Sequence, residues 1–172
     1  MIENPSFYNQ SEHHMTMEDV RNQIRTFVQQ DPAASYRLSI GTDSHVHRVY
    51  TRFITAIHIH RIGKGAWGCL RNHTVRRPVQ SLREKISTET WLSQEIAFYF
   101  TPDYLEELAC IIQPFEEKGA SFTFEIHLDI GHKGITRHLI TEMTQRTRQM
   151  GIEVKIKPDA YAASSYANRY TK

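Results

Sequence analysis

The sequence predicts an α/β fold in which a five-stranded mixed sheet, with strand order 3-2-1-4-5, is flanked by helices. Two observations predict it. Between residues 35 and 75, three strand-like segments follow one another with short turns, which indicates an antiparallel meander. After Pro78, helical segments alternate with two further strands, and such crossovers require parallel pairing. Right-handed crossovers then place strand four beside strand one and strand five beyond it.

The size and composition of the chain are those of an ordinary globular protein. Its 172 residues, 40% hydrophobic and 23% charged, suffice for one domain with its own core. We expect that domain to span residues 16–172 and residues 1–15 to form a flexible tail. No apolar run approaches the roughly 20 residues needed to span a bilayer, and the N-terminus lacks a signal-peptide pattern, so we expect a cytoplasmic protein without a membrane partner.

The first half of the chain contains one helix and three strands. Thr16 and Asp19 resemble a capping box, and a helical apolar pattern runs to Gln30 before Asp31-Pro32 ends it. The alternation in YRLSIGTDS predicts strand one, which ends at Asp43. The β-branched and aromatic segment YTRFITAIHIH predicts strand two, and a turn in IGKGA leads into strand three, AWGCLRNHTV.

The second half predicts crossover units. A helical segment follows Pro78 and runs to Phe100, and Thr101-Pro102 begins a second helix that extends to about Lys118, where Pro114 should disturb its last turn. The alternating segment SFTFEIHLD is strand four and ends at Asp129. The remaining segments are a helix from about residue 134 to 150, a short fifth strand in IEVKIKP and a closing helix in AYAASSYANRYTK.

Three aspartates lie at the carboxyl ends of strands that the topology brings together. Asp43 and Asp129 end the parallel neighbours one and four, and Asp159 follows strand five. In open α/β sheets, ligands bind in the crevice at this end, where the strand order switches. Clustered carboxylates repel one another unless a proton or a cation lies between them. Carboxylates without cysteine favour Mg²⁺ or Mn²⁺ over zinc.

A glutamate of the first long helix completes the predicted set. Glu89 shares the inward face with Leu82, Ile86 and Ser93 by helical spacing. Two divalent ions about 4 Å apart are a common device for cleaving phosphodiesters. A single aspartate at a strand end is often only a turn former or a helix cap. Three of them with an inward glutamate are better explained by a shared metal site.

Histidines and basic residues suggest contacts with a ligand. The pairs His45-x-His47 and His58-x-His60 each place two imidazoles on one strand face and offer zinc binding as an alternative. His45 lies beside Asp43, and Lys133 lies near the mouth formed by Asp129, so both are candidates for contacting phosphate. In the tail SYANRYTK, Arg169 and neighbouring tyrosines could contact a single strand of nucleic acid.

Several long motifs carry a family resemblance. GTDSHVH, TAIHIHRIGKGA, SLREKISTETWLS, HLDIGHKG and IKPDAYAASSYANRYTK resemble the YkuK family of predicted ribonuclease H-like proteins, from about Arg37 to the C-terminus. The resemblance implies a ribonuclease H-like fold in which Asp43, Asp129 and Asp159 stand for the superfamily's first-strand, fourth-strand and last acidic residues.

Two features of this sequence match the superfamily pattern less directly: the glutamate of the first long helix and the outline of the groove. The superfamily usually carries its glutamate early in this helix, which favours Glu84, whereas periodicity favours Glu89, the residue we select. The second helix, Pro102 to Lys118, is an insertion relative to the simplest superfamily layout.

The prediction is therefore a nuclease that uses Mg²⁺ or Mn²⁺ and hydrolyses phosphodiester bonds in RNA, DNA or a hybrid by a two-metal mechanism. Its catalytic and metal-binding residues are Asp43, Glu89, Asp129 and Asp159. Two alternatives remain open at this point. One is a nucleic-acid-binding module on the same fold with little or no catalysis, and the other is a metal-dependent phosphohydrolase of small phosphoesters.

Overall fold

The computed structural model describes residues 4–130, 137–156, 159, 160 and 162. Its helices are α1 (Met17–Gln29), α2 (Leu82–Ala97), α3 (Pro102–Ile112) and α4 (Arg137–Arg148), and its strands are β1 (Ser35–Val46), β2 (Thr51–Arg61), β3 (Ala66–Val75), β4 (Ser121–His127) and β5 (Glu153–Lys155). A short 3-10 helix spans Gln113–Lys118. Most of the predicted closing helix lies outside the described residues.

The five strands form one mixed sheet in the order β3-β2-β1-β4-β5. The meander pairs are antiparallel, and β4 runs parallel to both β1 and β5. The predicted fold class and strand order are confirmed. Turn residues and the handedness of crossovers were sufficient to derive them, because both act locally along the chain.

The two faces of β1 meet different parts of the protein. On one face, the hydroxyls of Thr42 and Ser44 contact Ser93 and Glu89 of α2 at 2.7 and 2.6 Å. Side chains alternate along a strand, so Asp43 and Ser39 belong to the opposite face. The apolar core lies under α1, α2 and α3 and includes Leu38, Ile40, Ile57, Ile59, Ile96, Leu108 and Ile126.

The N-terminal segment packs on the rest of the protein, in contrast to the flexible tail that we expected. Phe7 is fully buried and exchanges two backbone hydrogen bonds of 2.9 Å with Met15. Tyr8 and Leu70 of β3 also exchange backbone hydrogen bonds, of 2.9 and 2.8 Å. These bridges involve single residues, so they leave no periodicity in the sequence. Burial of Phe7 contributes roughly 1.5–3 kcal/mol to holding this segment in place.

The element boundaries follow the local sequence signals, except at the second predicted helix and at the fifth strand. The capping box at Thr16 and Asp19 is present, and both reciprocal hydrogen bonds form. The second predicted helix is interrupted, because α3 ends at Ile112 and a 3-10 helix containing Pro114 continues to Lys118. The fifth strand covers only Glu153–Lys155. Within the described residues, no helix is long and apolar enough to cross a membrane.

Candidate active site at the carboxyl ends of β1 and β4

The register of β1 and β4 brings two of the predicted aspartates to the same level of the sheet. Gly41 and His127 are the last pair of this parallel ladder. Asp43 follows two residues later on β1, and Asp129 lies two residues beyond the end of β4. Asp43 is buried, with 6% of its surface exposed, and Asp129 is partly exposed. The two aspartates therefore occupy equivalent positions at the carboxyl ends of neighbouring strands.

Helix α2 adds a third carboxylate from the side. Glu89 is buried, and its Oε1 accepts a 2.6 Å hydrogen bond from the hydroxyl of Ser44. The ammonium of Lys85, one turn earlier on α2, lies 3.4 Å from the same oxygen. Ser44 follows Asp43 directly, so β1 supplies one carboxylate and orients another.

The electrostatics of the site link these groups. The pKa of Glu89 is raised to about 7, mainly by burial and also by the charges of Asp43 and Asp129, against the opposing effects of Lys85 and Ser44. Burial alone would lower the pKa of Lys85, but Glu89, Asp43 and Asp129 together hold it above its ordinary value. The three carboxylates thus share one region of negative potential, which a single lysine partly compensates.

A small pocket opens beside this group. It is a narrow recess without room for a water molecule, lined by residues from β1, α2 and the end of β4, including Thr42, Ser93, Glu89 and Asp129. Ile86, Leu128 and Ile130 contribute apolar walls. Carboxylates therefore face a recess in which bulk water is partly excluded, and electrostatic interactions are stronger there than on an open surface.

The structure separates the two candidate glutamates of α2. Glu84 lies in the first turn, where it forms an ion pair with Arg77 at the surface that lowers its pKa. Glu89 faces inward and interacts with Asp43 and Asp129. The distinction follows from the helical period, because residues five positions apart on a helix point in different directions.

The remaining predicted residues are Asp159, which follows β5, and two basic residues. Asp159 is exposed, and its backbone N–H donates to the carbonyl of Ile156 at 2.8 Å. The charge of Asp159 contributes to raising the pKa of Lys155. Lys133 and Arg169 lie outside the described residues.

The carboxylate oxygens of this region suit a hard cation, but they are not arranged as a complete set of metal ligands. Among the residues that the structure describes, no three or more His, Cys, Asp or Glu side chains are grouped so that they could hold a metal ion. The available donors are nevertheless carboxylate oxygens in a region of excess negative charge, which is the environment that Mg²⁺ and Mn²⁺ favour. The residues present are therefore compatible with a divalent cation.

Of the two histidine pairs predicted from the sequence, one lies at the end of β1 and the other on β2. The rings of His45 and His47 lie 4.5 Å apart at the end of β1. His58 and His60 lie on β2, and burial lowers the pKa of His58 to about 4, with His60 and His127 adding to the effect. A half-buried imidazole that stays neutral is consistent with a structural role for His58.

Two residues of the site were missed from the sequence. Ser44 stands directly after Asp43, and Lys85 precedes Glu89 by four positions, a spacing that brings side chains together on a helix. That spacing was the available signal for Lys85. The contact between Ser44 and Glu89 spans 45 positions and has no local signal.

Comparisons with known proteins agree with this architecture. A family model described as Ribonuclease H-like matches residues 19–172. The uncharacterized protein YkuK of Bacillus subtilis (strain 168) is 61% identical over 166 residues, which cover 96% of each chain. A comparison with solved structures gave no match. The match over most of the chain, together with the sheet order, shows that the protein belongs to the ribonuclease H-like family.

Proposed function

We propose that this protein is a metal-dependent nuclease that hydrolyses phosphodiester bonds in nucleic acid. The observation that carries the proposal is that the charges of Asp43 and Asp129, near the carboxyl ends of β1 and β4, both act on Glu89 of α2 in a ribonuclease H-like chain. Asp43 and Glu89 are buried, and carboxylates that repel one another destabilise a protein, so a functional reason for keeping them is expected.

Asp43, Glu89 and Asp129 would hold Mg²⁺ or Mn²⁺, and Asp159 is the proposed fourth carboxylate from beyond β5. A divalent ion at this site supplies Lewis-acid stabilisation of the negative charge that develops on phosphate oxygens. Ser44 orients Glu89 through its hydrogen bond. Lys85 balances part of the carboxylate charge and keeps Glu89 ionised more readily than burial alone would allow.

The pocket walls have a role in positioning the substrate. Ile86, Leu128 and Ile130 reduce water access around Glu89 and Asp129. A phosphodiester bound at the mouth of this recess would meet fixed charges beside a region of low polarity, where they act more strongly than in water.

The test is a cleavage assay on labelled RNA, DNA and hybrid substrates with Mg²⁺ or Mn²⁺, using Asp43→Asn and Asp129→Asn variants. Cleavage should require the metal, stop on addition of EDTA and fall by at least about a hundredfold in each variant. Asp31→Asn is the matched control, because Asp31 pairs with Lys64 at 3.2 Å outside the site. Cleavage that survives in both variants would contradict the proposal.

One observation favours a nucleic-acid-binding module with little or no catalysis as a second candidate. Within the described part of the chain, the acidic side chains are not grouped closely enough to hold an ion without rearrangement. A module would bind nucleic acid with a strong dependence on salt and would cleave none of the substrates. Turnover of small phosphoesters alone would instead support a phosphohydrolase.

A further inference from the structure

The turn between β1 and β2 carries a series of three neighbouring rings, of which His47 and Tyr50 are stacked and His45 is tilted by 60° against His47. The imidazoles of His45 and His47 have centroids 4.5 Å apart, and the ring of Tyr50 lies 4.3 Å from that of His47 with 23° between their planes. The backbone N–H of His47 donates to the carbonyl of Tyr50 at 2.8 Å and closes the turn. The turn therefore fixes the rings relative to one another.

This ring series is accessible and lies among cationic side chains. His45 and Arg48 are exposed, and His47 and Tyr50 are partly exposed. Arg52 pairs with His45 in the antiparallel register, so the two side chains share one face of the sheet. Val49, at the tip of the turn, has 68% of its surface exposed. Accessible ring faces beside arginines suit a ligand that combines flat aromatic groups with negative charge.

The ring series also begins next to the candidate active site. Asp43 and His45 are two residues apart on β1, so their side chains lie on the same face, about 7 Å apart along the strand. Ser44, between them, points to the other face and contacts Glu89. A chain of nucleotides bound along the rings would therefore lead toward Asp43.

We propose that His45, His47 and Tyr50 bind unpaired nucleobases by stacking, which makes single-stranded nucleic acid the substrate class of the site. Bases in a duplex have their faces covered by neighbouring base pairs, whereas unpaired bases can stack on protein rings. Arg48 and Arg52 are the residues placed to contact the accompanying phosphates. This inference rests on the proposed function for the meaning of "substrate", but the binding it describes needs no metal.

The test measures binding by fluorescence anisotropy in EDTA, so that cleavage plays no part. The probes are a labelled single-stranded oligonucleotide, a duplex of the same sequence and an abasic strand of the same length. We expect the single strand to bind at least about tenfold more tightly than the other two probes. Tyr50→Ala and His47→Ala should each weaken single-strand binding by about tenfold or more, and Tyr50→Phe should retain it.

Phe98→Ala provides the matched control, because Phe98 is an aromatic side chain with 77% exposure at the end of α2. It should bind as the unsubstituted protein does. The proposal is overturned if the abasic strand binds as tightly as the normal strand, or if folded His47→Ala and Tyr50→Ala proteins bind normally. Asp43→Asn should bind the single strand yet fail to cleave it, so failure of the nuclease proposal and failure of this one can be told apart.

Discussion

The hydroxyl of Ser44 donates a 2.6 Å hydrogen bond to Oε1 of Glu89 and so joins the end of β1 to the middle of α2. Asp43, the preceding residue, contributes its charge to the same region. Two successive residues of one strand thus serve the candidate site in different ways: one as a carboxylate and one as the partner that orients another carboxylate.

Replacing Ser44 by alanine should weaken binding of Mn²⁺. The hydrogen bond from Ser44 lowers the pKa of Glu89, so its loss should raise that pKa further and leave less ionised carboxylate at neutral pH. Loss of a residue that orients a ligand typically lowers metal affinity by about 10- to 100-fold. Calorimetric titration with Mn²⁺ measures the change.

Ser35→Ala is the control for that experiment, because Ser35 lies at the other end of β1, where its hydroxyl bonds to the carbonyl of Gly119 at 3.0 Å. It should leave Mn²⁺ affinity unchanged. Equal affinities for Ser44→Ala and Ser35→Ala would argue against a role for Ser44.

Lys85→Met should have opposite effects on stability and on metal binding. Without its ammonium, the three carboxylates lose a compensating charge, and the metal-free protein should lose about 1–3 kcal/mol of unfolding free energy. At a pH well above the pKa of Glu89, where this carboxylate is ionised with or without Lys85, Mn²⁺ should bind about tenfold more tightly, because a competing cation has gone. Urea unfolding in EDTA and calorimetry measure the two quantities.

Lys85→Arg retains the positive charge and should resemble the unsubstituted protein in both measurements. A Lys85→Met variant that binds Mn²⁺ more weakly would show that Lys85 supports the ion rather than competing with it.

His58 should make stability depend on pH. Its pKa is about 4 in the folded protein and near 6.5 when unfolded, so the unfolded chain binds more protons between these values. Stability should therefore be fully present above pH 6.5 and fall as the pH drops toward 4, by up to roughly 3 kcal/mol. The neighbouring titratable groups that also lower the pKa of His58 are His60 and His127.

Urea unfolding of His58→Gln and of the unsubstituted protein, both in EDTA at several pH values, isolates this effect. The difference in unfolding free energy between them should change across pH 4–6.5, because the other groups titrate in both proteins. A constant difference across that range would show that His58 titrates normally.

Phe7→Ala should destabilise the protein although Phe7 lies in a segment that looks like a loose tail. Its side chain is fully buried, and truncating a buried phenylalanine typically lowers the unfolding free energy by about 3–5 kcal/mol. Phe98→Ala, at an exposed position, should change it by less than about 0.5 kcal/mol. Similar small effects for both variants would mean that the N-terminal segment contributes little to the fold.

The strand order could be derived from sequence because it depends on short-range information. Gly and Pro residues marked the turns, and the crossovers to β4 and β5 have a fixed hand. The same reasoning brought Asp43 and Asp129 to neighbouring strand ends. Helical periodicity placed Glu89 on the inward face, and Glu84 points elsewhere and pairs with Arg77.

Features that depend on contacts between distant parts of the chain could not be derived. The hydrogen bond between Ser44 and Glu89 and the bridge between Tyr8 and Leu70 have no sequence period. Helix α3 ends at Ile112 because the chain accommodates Pro114. The sequence predicted a disturbance at Pro114 but not the residue at which the helix ends. Isolated contacts of this kind depend on the assembled core.

The most direct test of the proposed site is a crystal soaked in Mn²⁺ and examined for anomalous scattering between β1 and β4. The account predicts an anomalous peak with oxygens of Asp43, Glu89 and Asp129 at roughly 2.1 Å, and loss of that peak in crystals of Asp43→Asn. At saturating Mn²⁺, the absence of a peak at these carboxylates would contradict a metal-dependent nuclease at this site.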